Sequence, residues 1–148
     1  IVGNDPSGKS VARMLAAEGI ENLLQVDESG ITTQKLRVLA RGQQMIRLDF
    51  EEKASETAAK AVEAAFEAAC KSADIVVLSD YAKGSLQYCQ SMIAKATQLG
   101  KPVVVDPKGT DFSKYQGATL LTPNLSEFSA VAGECTDEAQ ISSSAQAL

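Results

Sequence analysis

Histidine and tryptophan are absent from the 148 residues, and aromatic side chains make up only 5% of them. Without histidine, His-ligated zinc and a Ser-His-Asp triad are excluded within the chain. The cysteines, Cys70, Cys89 and Cys135, are odd in number and far apart, so neither a disulfide framework nor a CxxC metal site is indicated. No long basic run occurs and the formal charge is −5, which argues against nucleic acid or an anionic membrane as partner, because phosphate backbones demand clustered Lys and Arg. A local cationic pocket for a small phosphate stays open. No apolar run approaches the length of a membrane span, and no signal peptide is visible, although a start lying upstream would hide one. Cytoplasmic location is the expectation.

What is present is an apolar fraction of 45%, ample for a core. Ile1-Val2-Gly3 reads as the end of a strand begun upstream, and ISSSAQAL as a helix still running, so a partial domain is expected. Ser7 to Gly19 has Val11, Met14 and Leu15 at helical spacing, and Leu23 to Val26 follows as a short strand. Residues 32–50 form a hairpin around a loop Arg41-Gly42-Gln43. That register gives Leu36, Val38, Ala40, Ile46 and Leu48 a shared, buried face. Lys35, Arg37, Met45, Arg47 and Asp49 take the other face, with Lys35 opposite Asp49. The charged face is either a solvated edge or a lid whose cations meet an anionic ligand.

Ser55 caps a helix to about Lys71 with a stripe of Ala59, Val62, Phe66 and Cys70. Ile75–Leu78 is a buried strand, followed by a helix to Leu99 with Leu86, Ile93 and Ala96 inward, then strands at Pro102–Val105 and Ala118–Leu121. Helices follow from Asn124 and Asp137. The order implies a layered α/β domain with parallel strands covered on both faces, and ligands collect beyond the carboxyl ends of such strands.

Those ends carry the chemistry. Asp80-Tyr81-Ala82-Lys83-Gly84 and Asp106-Pro107-Lys108-Gly109 each offer a carboxylate and a cation, and each is also a common turn composition. Asn124-Leu125-Ser126-Glu127 reads as a capping box, and the same geometry presents free N–H groups to phosphate with Asn and Glu oxygens for magnesium. Gly3-Asn4-Asp5-Pro6-Ser7-Gly8-Lys9-Ser10 matches the P-loop pattern GxxxxGK[ST], although Pro6 removes one N–H from the cradle. Lys9 and Ser10 are alternatively first-turn residues of an ordinary helix.

KLRVLARGQQMIRLDFEE at 35–52, LSDYAKG at 78–84, DPKGTDF at 106–112 and GATLLTPNLSEF at 117–128 resemble the ribokinase-like (PfkB-type) carbohydrate kinases. The resemblance covers most of the chain and is nearest to the heptose 7-phosphate kinases that form one half of bifunctional ADP-heptose synthases. It implies a ribokinase-like α/β/α sheet with an inserted β-hairpin lid at about 32–50 and an ATP-site portion at about 75–148. It also implies transfer of the ATP γ-phosphate to the anomeric hydroxyl of D-glycero-D-manno-heptose 7-phosphate, in making ADP-heptose for lipopolysaccharide core. Asn124 and Glu127 then fall on the family's NxxE motif, with Leu125 and Ser126 between them, binding ATP and, through water, Mg2+. Asp106 and Lys108 line the same phosphate region, while Lys35, Arg37 and Asp80 are expected at the sugar phosphate. Gly3, Asp5 and Gly8 match a G-x-D-x-x-G loop of that fold. The lid implies a homodimer, and the sugar-binding start and the GAGD motif with its catalytic Asp are expected outside residues 1–148. The rivals are a P-loop NTPase or kinase using Gly3 to Ser10, and a non-catalytic sugar-phosphate binding or dimerisation module.

Overall fold

The computed structural model describes residues 1–147, which divide into two compact units: Ile1–Phe66 with Lys83–Tyr88, and Glu67–Ala82 with the described residues from Cys89 onward. The first unit opens with β1 (Val2–Gly3), paired in parallel with β2 (Val26–Asp27), and α1 (Pro6–Ala17) runs between them. β2 is shorter and later than the expected Leu23–Val26. Leu24 N–H donates to Asn22 Oδ1 at 2.9 Å and the Gln25 side chain donates to the Leu23 carbonyl, so local side-chain bonds replace the ladder there.

The start of α1 removes the P-loop reading. Asp5 is the N-cap, with Pro6 at the first helical position, and residues 6–10 of the motif are already helical. The Asp5 carboxylate accepts from Gly8 N–H and from Thr32 N–H, both at 2.8 Å. These bonds, Thr32 first, hold its pKa below the usual carboxylate value. A carboxylate thus occupies donors that a phosphate would need, and no glycine loop remains to wrap one.

The hairpin consists of β3 (Gln34–Ala40) and β4 (Gln43–Phe50), with Lys35 opposite Asp49 as expected. Its turn differs. Arg41 and Gly42 alone form it, at φ 52° and 76°, the left-handed pair typical of two-residue hairpin turns. Gln43 joins β4 opposite Ala40, and a register shift between Val38 and Leu39 restores the expected pairing further on. The apolar and charged residues do separate by face, but the apolar face is not buried: Leu36, Val38, Ile46 and Leu48 are 39–50% exposed. α2 (Glu56–Cys70) starts where Ser55 Oγ accepts from Ala58 N–H at 3.2 Å. Asp27, buried at the end of β2, accepts from Ser55 N–H at 2.7 Å and from Ser29, which hold its pKa down to about 2.

The second unit contains a parallel sheet in the order β5 (Val76–Ser79), β6 (Val103–Asp106), β7 (Leu120–Leu121). With it come α3 (Cys89–Gln98), a short 3-10 turn (Ser113–Tyr115), α4 (Leu125–Ala132) and α5 (Glu138–Ala147). α3 begins later than expected, leaving Leu86 in a turn. Positive φ at Ala82 (56°) and Gly84 (100°) carries the preceding chain out of helical geometry. Val76, Leu78, Val103 and Val105 are buried with Met92, Ile93 and Ala96 of α3, each large side chain contributing about 1.5–3 kcal/mol. The opposite face, in register through Val77, Val104 and Leu120, leaves Val77 65% and Leu120 54% exposed. Coverage of both faces was expected; among the described residues only one is covered.

Candidate functional site

The register Ser79 to Asp106 brings the carboxyl ends of β5 and β6 level, and Thr122 N–H bonds the Val105 carbonyl, bringing the start of α4 to the same end. The expected residues Asp80, Asp106, Lys108, Asn124 and Glu127 therefore gather at one edge of one sheet. Asn124 caps α4, its side chain accepting from Glu127 N–H at 3.0 Å while Asn124 N–H donates to Glu127 Oε2 at 3.2 Å. This is the expected capping box. Glu127 Oε1 accepts from Lys108 Nζ at 2.9 Å. The ammonium is half exposed and the carboxylate is largely covered. Lys108 and then the Asn124 N–H hold Glu127 below the usual carboxylate range, and Glu127 raises Lys108 in return. Leu125 and Ser126 are exposed in the first helical turn, where N–H groups have no intrahelical partner. Asp106, half-buried, accepts from Ser79 Oγ at 3.2 Å.

Asp80 is buried and faces inward. Its Oδ2 accepts from Tyr115 OH at 2.6 Å and Lys114 Nζ at 2.8 Å, and its Oδ1 from Ala82 N–H at 2.7 Å. Burial pushes this carboxyl up, and the bonds from Lys114 and Tyr115 outweigh it, leaving the pKa lowered. Lys114 loses basicity by burial and gains more from Asp80 and Tyr115, reaching about 12. Burial and Asp80 together raise Tyr115. Neither Lys114 nor Tyr115 stood out in the sequence. No spacing in the sequence marks either, because both act across a long separation from Asp80.

Lys35 and Arg37 belong to the other unit, on the charged face of the hairpin. Arg37 stands directly opposite Arg47, which pairs with Asp49 at 3.0 Å. Among the described residues no group of three or more His, Cys, Asp or Glu converges as a metal cage. The donor set at α4 suits a cation that keeps most of its water and takes one carboxylate, as Mg2+ does. A cavity of about 800 Å3 in the second unit is lined by Phe112, Tyr115, Leu121, Phe128 and Val131, among others, and by none of Asp106, Lys108, Asn124 and Glu127. The polar cluster is a surface edge rather than part of that hollow.

A model of the pfkB family of carbohydrate kinases matches residues 1–148. The chain belongs to that family. Its relatives include the bifunctional protein HldE of Methylococcus capsulatus, 47% identical over 146 residues, covering 99% of the chain and 31% of the relative. The bifunctional protein HldE of Klebsiella pneumoniae is 48% identical over 141 residues, covering 95% and 30%. The chain thus spans about a third of the length of these curated relatives. Among solved structures, the ribokinase of Arabidopsis thaliana complexed with ribose and ATP superposes with a TM-score of 0.70 at 20% identity, covering 99% of this chain and 49% of that one. The fold of this family member is therefore ribokinase-like. Its membership also removes the P-loop NTPase alternative, in agreement with the helical start at Pro6.

Proposed function

We propose that the chain supplies the lid, residues 32–50, and the ATP-site portion, residues 75–148, of a cytoplasmic kinase acting on heptose 7-phosphate. The full-length protein phosphorylates that sugar at its anomeric hydroxyl and feeds ADP-heptose synthesis for lipopolysaccharide core. The observation that carries this reading is the Lys108–Glu127–Asn124 cluster at the N-terminus of α4, in a chain of a carbohydrate kinase family.

When bound, Mg2+ and ATP supply the phosphoryl group and neutralise part of its charge. The chain's residues bind and orient. The Leu125 and Ser126 N–H groups, at the positive end of the helix, receive phosphate oxygens. Lys108 would face the phosphates, and Glu127 and Asn124 would hold the cation through water, with Asp106 beside them. Lys35 and Arg37 serve the sugar phosphate from the lid. No residue of the chain is assigned the proton-accepting role. The exposed apolar face of the hairpin supports a homodimer through Leu36, Val38, Ile46 and Leu48.

The test is ADP formation by the full-length protein with heptose 7-phosphate. Asn124→Ala and Glu127→Ala raise KM for MgATP at least about tenfold, as expected for lost charge-assisted bonds, and Lys9→Ala leaves it unchanged. Saturable sugar-phosphate binding without turnover, or loss of ATP binding in Lys9→Ala alone, sinks the proposal.

A further inference from the structure

We propose that Tyr115, held by Asp80, is a positioning residue for Lys108, and through Lys108 for the phosphates of a nucleotide. This rests on the reading of Lys108 as a phosphate-facing cation. Tyr115 is 1% exposed and Asp80 7%, so neither reaches a ligand at the strand edge. What they hold does. The tyrosine hydroxyl has one proton, and the 2.6 Å bond commits it to Asp80 Oδ2. Its lone pairs then face Lys108 N–H at 2.9 Å, which fixes the direction of that second bond.

The position of that bond matters because of its neighbours. Pro107 is buried and contributes no N–H, and Gly109 follows at φ 93°, a left-handed conformation that glycine adopts without a Cβ penalty. The backbone at Lys108 is therefore pinned on its amide side by Tyr115. The side chain leaves from that pinned point to meet Glu127. Lys114 closes the other side of Asp80, and its ammonium lies 4.8 Å from the centre of the Tyr115 ring. One hydroxyl thus joins the end of β5 to the segment after β6, and the Lys108–Glu127 bond continues the connection to α4. This reading gives Asp80 a supporting role in place of a sugar contact.

In the full-length protein, Tyr115→Phe keeps the buried ring and removes the joint. The expected result is a rise of about fivefold in KM for MgATP, the size of one lost hydrogen bond, with KM for the sugar phosphate unchanged. In a Lys108→Ala background the same substitution has no further effect, because the cation it positions is gone. Asp80→Asn, a second variant of unchanged volume, follows the same pattern. An equal effect of Tyr115→Phe in both backgrounds, a parallel rise in both KM values, or no change in KM for MgATP overturns the inference. If Lys108→Ala alone raises KM and Tyr115→Phe does not, only the positioning role fails. If Lys108→Ala leaves KM unchanged, the phosphate role of Lys108 fails with it.

Discussion

Gly8→Ala sets two effects of known size against each other. Gly8 is buried at the third position of α1, where alanine gains about 1 kcal/mol in helix propensity over glycine. The added Cβ would stand 2.5 Å from the Gly3 carbonyl oxygen, 3.0 Å from Thr32 Oγ1 and 3.1 Å from Val2 Cβ. The nearest of these is backbone of β1, so relief requires the helix and strand to part. Overpacking of this kind costs about 1–3 kcal/mol. Parting also stretches the Asp5–Gly8 cap bond. The costs exceed the gain, and a net loss of about 1–2 kcal/mol is expected. Urea unfolding of the chain, followed by far-UV circular dichroism, reads this as a lower midpoint at unchanged slope, with a slope of about 1–3 kcal/mol per molar. A midpoint equal to or above that of the parent refutes the packing argument. A folded variant whose full-length form loses ATP binding refutes the assignment of Gly8 to packing instead of phosphate.

Asp27 gives a pH dependence whose sign follows from its depressed pKa. The stability it contributes is present above the unfolded value of about 4 and is lost as pH falls towards about 2. Asp27→Asn should flatten that acid limb of the urea midpoint, and superimposable limbs for parent and variant would contradict it. On the hairpin, Val38→Asp with Ile46→Asp places two carboxylates directly opposite each other on the exposed apolar face. Both residues are more than 40% exposed, so the melting temperature should fall only by the repulsion across that one pair, while sedimentation shows dimer converting to monomer. A parent that sediments as a monomer excludes the hairpin interface.

How much of this was legible depended on whether the deciding interaction was local. The capping box at Asn124 and Glu127 spans three residues, and the strand before it ends in Thr122-Pro123, so letters and geometry coincide. The hairpin register was legible because alternation along 34–50 allows only one pairing that keeps Leu36, Val38, Ile46 and Leu48 together. Its turn was not, since Arg41 is a rare choice for positive φ and the register shift compensates for the residue that the turn gives up. The run Ile75-Val76-Val77-Leu78 reads as covered on both faces, yet burial of alternate residues depends on partners that a chain of about a third of its relatives' length need not contain.

The largest departure is Asp80, and the rival P-loop reading falls for a different reason. Asp80 and Tyr115 lie 35 residues apart, and no spacing rule links a strand-end carboxylate to a tyrosine in a later 3-10 turn. Their bond is set by the tertiary packing of the second unit. The P-loop pattern failed in the opposite direction, because its letters fit while its donors were already used. Asp5 and Pro6 supplied the correction, as an N-cap and the first helical residue that start α1 before a loop can form. Counting which N–H groups remain free therefore discriminates better than matching glycines and lysines. Applied to α4, that count leaves Leu125 and Ser126 as first-turn N–H groups without an intrahelical partner, beside a half-exposed Lys108. Applied to α1, it finds the Asp5 carboxylate already on Gly8 N–H. That count supports the proposed nucleotide site at α4 over α1, although α1 carries the better-known letters.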